Sequence, residues 1–134
     1  MSTVITTRIS ATTSRPSGPA DRLHVSVTTP GDTVTLCAVA GEVDHYTVDV
    51  LRTSLIAAVN NAAPIVAVDL SRVSFFGVAG LRVLIEARAT AGRTGRRLRL
   101  VVGTSCVDRL LAAAGEADAF DLMPDLACAV LDPA

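Results

Sequence analysis

The chain contains no lysine and no tryptophan, and only 3% of its residues are aromatic. Without lysine it cannot supply the GxxxxGK[ST] phosphate loop, and neither GxGxxG nor the nucleophile elbow GxSxG occurs anywhere in it. Cys37, Cys106 and Cys128 stand far apart and form no CxxC pair, so neither a disulfide framework nor a zinc site of the usual spacing is written into the sequence. No apolar run approaches the ~20 residues that a membrane-spanning helix needs. Residues 1–20 lack the apolar stretch of a secretory signal, so a cytoplasmic protein is the expectation. The formal net charge of −1 provides no bulk attraction for nucleic acid or for an anionic membrane.

What is present is material for one core. The chain has 134 residues, half of them hydrophobic, which suits a single domain packed from Val, Leu, Ile and Ala. Residues 1–20 are polar and broken by Pro16, Gly18 and Pro19, and read as a disordered tail before a domain at 21–134.

Leu23-His24-Val25-Ser26-Val27 alternates apolar and polar like a half-buried strand. A Pro30-Gly31-Asp32 turn leads into Val34–Val39, which makes the pair an antiparallel hairpin. Val48, Leu51, Leu55 and Val59 recur at helical steps, with Asp44 or Thr47 as the cap and Asn60, Asn61 and Pro64 as the stop. Ile65–Val68 is a β-branched run fit for a strand buried on both faces. A helix follows from Gly80, with Leu81, Leu84 and Ile85 facing inward, an Arg82–Glu86 surface pair, and a stop at Gly92 and Gly95. Leu98–Val102 is a further strand. Ser105 to Asp108 resembles a capping box for a helix ending at Gly115, and Pro124-Asp125 opens a last short helix with Leu126 and Val130. The order predicts an α/β fold with a four-stranded mixed sheet, an opening hairpin, β-α crossovers and three to four helices.

Ionisable groups form no catalytic constellation in the sequence. His24 and His45 lie in different elements without a neighbouring nucleophile. Glu42, Asp44 and Asp69 sit near strand ends, where Asp69 can hold neighbouring backbone N–H groups. Ser71 and Ser74 are hydroxyls that backbone acceptors can satisfy. The cluster Arg93, Arg96, Arg97 and Arg99 has no interleaved aromatics and reads as a solvated loop. Cys106 falls in the first turn of a helix, where the dipole can favour the thiolate and make the residue a redox candidate; the competing reading makes all the cysteines small buried hydrophobes.

The segment Asp69-Leu70-Ser71-x-Val73-x-Phe75-Phe76, followed by a small-small-Gly-Leu helix start, resembles the signature of STAS domains, the anti-sigma-factor antagonists of bacteria. Gly41-Glu42-Val43-Asp44 stands upstream where that family has its second landmark, and the element order from about Leu23 to Asp132 is similar. The resemblance implies a STAS fold and a binding module without catalysis, cofactor or metal. Its implied partner is an anti-sigma factor, often a kinase of the histidine-kinase-like ATPase fold, which the antagonist binds to release a sigma factor.

In that family the partner kinase reverses binding by phosphorylating a Ser or Thr in an Asp-Ser-Ser/Thr-Gly-Leu sequence. A phosphate adds about −1.5 to −2 charges in the middle of the interface. Aligned on that motif, this chain has Gly77 for the Asp, Val78 at the first hydroxyl position and Ala79 at the acceptor. The implied contact surface comprises Asp44, Phe76, Gly77, Val78, Ala79, Gly80, Leu81 and Arg82, without control by phosphorylation at Ala79. A sensory or scaffold STAS domain that binds a small ligand or builds a larger complex is the alternative. A small α/β enzyme with an unrecognised site is another, and oligomeric state stays open.

Overall fold

The computed structural model describes residues 6–8, 22–61, 63–103 and 105–129. Six strands form one sheet in sequence order: β1 (Thr6–Arg8), β2 (Leu23–Thr28), β3 (Val34–Val43), β4 (Ile65–Phe76), β5 (Arg97–Val101) and β6 (Asp121–Met123). β1, β2 and β3 pair antiparallel, and β3 through β6 pair parallel. The helices are α1 (Val48–Val59), α2 (Val78–Arg93), α3 (Ser105–Ala113) and the short α4 (Leu126–Ala129), with a 3₁₀ turn at Ala117–Ala119.

This is the expected α/β architecture with its opening hairpin, widened by two short edge strands. Thr6–Arg8 lies inside the segment read as a tail, and it pairs with Ser26–Thr28; the rest of that reading lies outside the described residues. Asp121–Met123 runs beside Arg99–Val101. Neither triplet carries an alternation of its own, and each is extended because a neighbouring strand offers it a ladder. The Val130 end of the last helix and the Ser105 side chain of the capping box also lie outside the described residues.

One face of the sheet carries the main core. Leu23, Val25, Cys37, Val39, Val66, Val68, Leu70 and Leu100 meet Leu51 and Leu55 of α1, Leu84 of α2 and Leu111 of α3, all buried. The opposite face carries a smaller cluster of Val34, Ile65, Ala67 and Val101. β4 therefore has apolar side chains on both faces at its start, as a central parallel strand requires. Farther on, β4 has more residues than its partner: Ala38 and Ala40 face Asp69 and Arg72, and Gly41 and Glu42 face Val73 and Phe75. Two bulges on β4 break the alternation, so Leu70, Val73 and Phe76 all point to the main core.

Glu86 does not pair along its own helix. Its carboxylate meets Arg52 of α1 at 3.3 Å, because the two helices lie side by side on one face of the sheet. Arg99 also departs from the solvated-loop reading. It is a β5 residue, 5% exposed, facing Asp121 of β6 at 3.6 Å.

Candidate functional site

The junction between β4 and α2 is built on close packing at small residues. β4 ends at Phe76, whose ring is buried. The next amide, Gly77, donates to the Val43 carbonyl at 2.9 Å and so continues the β3–β4 ladder. Gly77 is the N-cap of α2 in an extended conformation, and its carbonyl accepts from the Gly80 N–H at 3.0 Å. The helix then passes so close to the strand ends that a Cβ on Gly80 would stand 2.7 Å from both Phe76 Cζ and Val43 Cγ1. Phe76, Gly80 and Leu81 thus face the interior and shape the junction, while Val78 and Arg82 are exposed and Gly77 and Ala79 are half-buried. Of the expected contact residues, Phe76 and Leu81 offer no outward side chain; both are buried in the main core.

Two exposed aromatics at this end of the sheet were not among those expected contacts. Phe75 is 51% exposed, and its ring edge lies 3.4 Å from where a Cβ on Gly77 would be. Tyr46 is 66% exposed on the turn between β3 and α1, at the same C-terminal strand ends. With Val78 they put three exposed apolar side chains at this end of the molecule. Sequence offered a partial signal: Tyr46 is the only tyrosine and stands two residues after the Gly41–Asp44 landmark.

Asp44 works mainly beneath Tyr46. Its Oδ1 accepts from the Tyr46 N–H at 2.8 Å and the Thr47 N–H at 3.0 Å. Thr47 is fully buried; its hydroxyl donates to the Glu42 carbonyl at 2.8 Å and accepts the Asp44 N–H at 2.9 Å. Thr47 is the N-cap of α1, with no side-chain cap bond of its own into the helix. Asp44 and Thr47 together fix the turn that precedes the helix. Arg22 Nη1 bridges Asp44 Oδ2 at 3.0 Å and Glu42 Oε1 at 3.3 Å, and its guanidinium lies 5.9 Å from the Tyr46 ring centroid. The His45 and Tyr46 rings are 3.9 Å apart. Desolvation alone would raise the Asp44 pKa, but the Tyr46 and Thr47 amides and Arg22 outweigh it and hold the carboxyl below its usual value.

The other polar candidates are tied up locally. Asp69 Oδ1 accepts from the Ser71 N–H at 3.0 Å and the Ser71 hydroxyl at 2.6 Å, the structural task read from the sequence. Ser74 donates to the Gly41 carbonyl at 3.3 Å. Cys106, half-buried in α3, points its sulfur at the Val73 carbonyl, 3.5 Å away. Cys37 is fully buried in the main core, and that burial pushes its thiol up to about 12. The Cys128 side chain lies outside the described residues. Among the described residues, no three His, Cys, Asp or Glu side chains gather to hold a metal ion, and no helix is long and apolar enough to cross a membrane.

The order and pairing of these elements are shared with known proteins. The profile of the family described as "Mlab, STAS domain" matches residues 25–124, and the chain belongs to the STAS domain family. Among solved structures it is similar to an anti-sigma factor antagonist from Mycobacterium paratuberculosis, with 28% identity and a TM-score of 0.74 over 82% of this chain and 92% of that one. The unphosphorylated form of the anti-sigma factor antagonist SpoIIAA has the same fold, at 16% identity and a TM-score of 0.63 over 75% of this chain and 89% of that one. SLC26A9 also contains the fold, at 16% identity and a TM-score of 0.63, with 72% of this chain matched to 19% of that longer one. A search of curated proteins returned no match.

Proposed function

We propose that this chain is an anti-sigma-factor antagonist that binds an anti-sigma factor through the outer surface of the β4–α2 junction. The observation that carries the reading is chemical. The position where the family's motif has its phosphorylated Ser or Thr is Ala79, and this end of the sheet exposes the apolar Val78, Phe75 and Tyr46 together with Arg82. Such a surface favours contact with protein over turnover of a substrate. Its aromatic anchor is held in advance by Asp44 and Arg22, which lowers the ordering cost of binding. The partner in this reading is an anti-sigma factor of the histidine-kinase-like ATPase fold, met in the cytoplasm. Binding does not wait for dephosphorylation, because Val78 and Ala79 have no hydroxyl. Similarity to the mycobacterial antagonist supports the reading.

The test is capture of partners from native cytosol by the wild type and by Ala79→Glu. An ATPase-fold anti-sigma factor retained by the wild type and lost by the variant is the expected result. Absence of such a partner, or binding indifferent to the new charge, would overturn it. A kinase assay with the captured partner should leave residues 77–80 unmodified, and phosphate on Ser71 or Ser74 would refute the account of an unswitched surface.

A further inference from the structure

On the sheet face opposite α1, α2 and α3 lies a cavity of about 510 Å³, within the range of small-molecule sites. Strand register explains its shape. His24, Ala40 and Arg72 stand side by side across β2, β3 and β4, and Ser26, Ala38 and Asp69 form a parallel row. The centre of each row is alanine, so the floor is low and apolar while both walls are polar. The first β4 bulge creates this arrangement: residues three apart in a regular strand face opposite ways, but the extra residue turns Asp69 and Arg72 to the same side. Asp69 itself braces the bulge through Ser71. Leu126 of α4, 37% exposed, overhangs the cavity as an apolar edge.

The two rows differ in chemistry. His24 and Arg72 present N–H donors, and the exposed Arg72 guanidinium has no hydrogen bond or ion pair among the described residues. Ser26 presents a hydroxyl and Asp69 a second carboxylate oxygen that no described hydrogen bond uses. The rows are roughly 7 Å apart along the strands, and the walls roughly 10 Å apart across them. We propose that this trough binds an elongated organic acid with a terminal amine: the carboxylate between His24 and Arg72, the apolar body over Ala38 and Ala40 and under Leu126, and the ammonium on Asp69 and Ser26. The site is separate from the β4–α2 surface and stands whether or not that surface binds an anti-sigma factor.

The test titrates the full chain, followed by ¹⁵N–¹H correlation spectra, with 4-(aminomethyl)benzoate and with its halves, benzoate and benzylamine. The whole probe should shift the amides of Ala38, Ala40 and Arg72 saturably and bind about tenfold or more tightly than either half, since each end adds a charge-assisted bond. Ala40→Leu, which fills the floor without changing charge, should abolish the shifts. Should that variant not fold, the exposed Arg72→Gln should weaken the whole probe about tenfold and leave benzylamine unaffected. Absence of saturable shifts at these amides, equal affinity for whole and half probes, or binding untouched by both variants would overturn the proposal.

Discussion

Phe76 Cζ lies 2.7 Å from the point where a Cβ on Gly80 would stand. That separation allows a hydrogen and excludes a methyl group. The N-terminal turn of α2 is therefore seated against the ends of β3 and β4 with no slack.

Gly80→Ala tests this contact. Overpacking costs about 1–3 kcal/mol, and replacing a helical glycine by alanine offsets about 1 kcal/mol of it. With a Cβ meeting two side chains at 2.7 Å, the upper end of that cost applies, and urea unfolding should show a net loss of about 2 kcal/mol, partly recovered when Val43→Ala is added to make room. A Gly80→Ala protein as stable as the wild type would mean that the helix can lift off the strands.

Tyr46→Ala and Phe75→Ala should separate binding from stability. Both side chains are at least half exposed, so the unfolding midpoint should move little. Affinity for the anti-sigma factor captured by the wild type should fall about tenfold or more for Tyr46→Ala, the size expected when a central aromatic anchor is truncated. Calorimetric titration would measure it, and unchanged affinity in both variants would remove the aromatics from the interface.

Asp44→Asn addresses the turn beneath Tyr46. The Asp44 carboxyl titrates below its usual range in the folded protein. Its contribution is therefore fully present above the unfolded carboxylate value of about 3.9 and is lost as pH falls through the lower folded value. Wild-type stability should drop more steeply than that of Asp44→Asn on acidification below about pH 4. Parallel stability curves for the two proteins would show that Arg22 and the two amides do not favour the charged form.

The thiols should divide by burial. In the native protein at pH 8, a thiol reagent should leave Cys37 untouched and modify the half-buried Cys106. Cys37, raised to about 12 when folded, contributes stability that is present below its unfolded value of about 8.5 and fades as pH rises toward the folded value. A Cys37→Ala comparison across that alkaline window checks the sign. An unreactive Cys106 would also end its candidacy as a redox switch.

How far the sequence could be read depended on where residues act through their neighbours in the chain. The hairpin, the three longer helices and the central strands follow from alternation, helical spacing and turn residues such as Pro30-Gly31-Asp32, all local signals. The edge strands at Thr6–Arg8 and Asp121–Met123 do not, because only the adjacent strand makes them extended. Within the site, the junction at 76–81 was legible, but its inner and outer sides were not. Phe75 and Phe76 are chemically identical neighbours that a strand must turn to opposite sides, and the two β4 bulges decide which one faces in. Arg72 was illegible for another reason: a bulge adds a residue that no residue type announces, and this reverses the side to which a strand position points.

Val78 and Ala79 carry one last consequence if the junction binds as proposed. A protein with a hydroxyl there can be silenced covalently while its copy number stays constant. This chain has no such control at that point, so the fraction of partner it occupies follows mass action. Its effect on transcription would then be graded by dose, set by the ratio of its concentration to that of the anti-sigma factor and by the rates at which each is made and degraded.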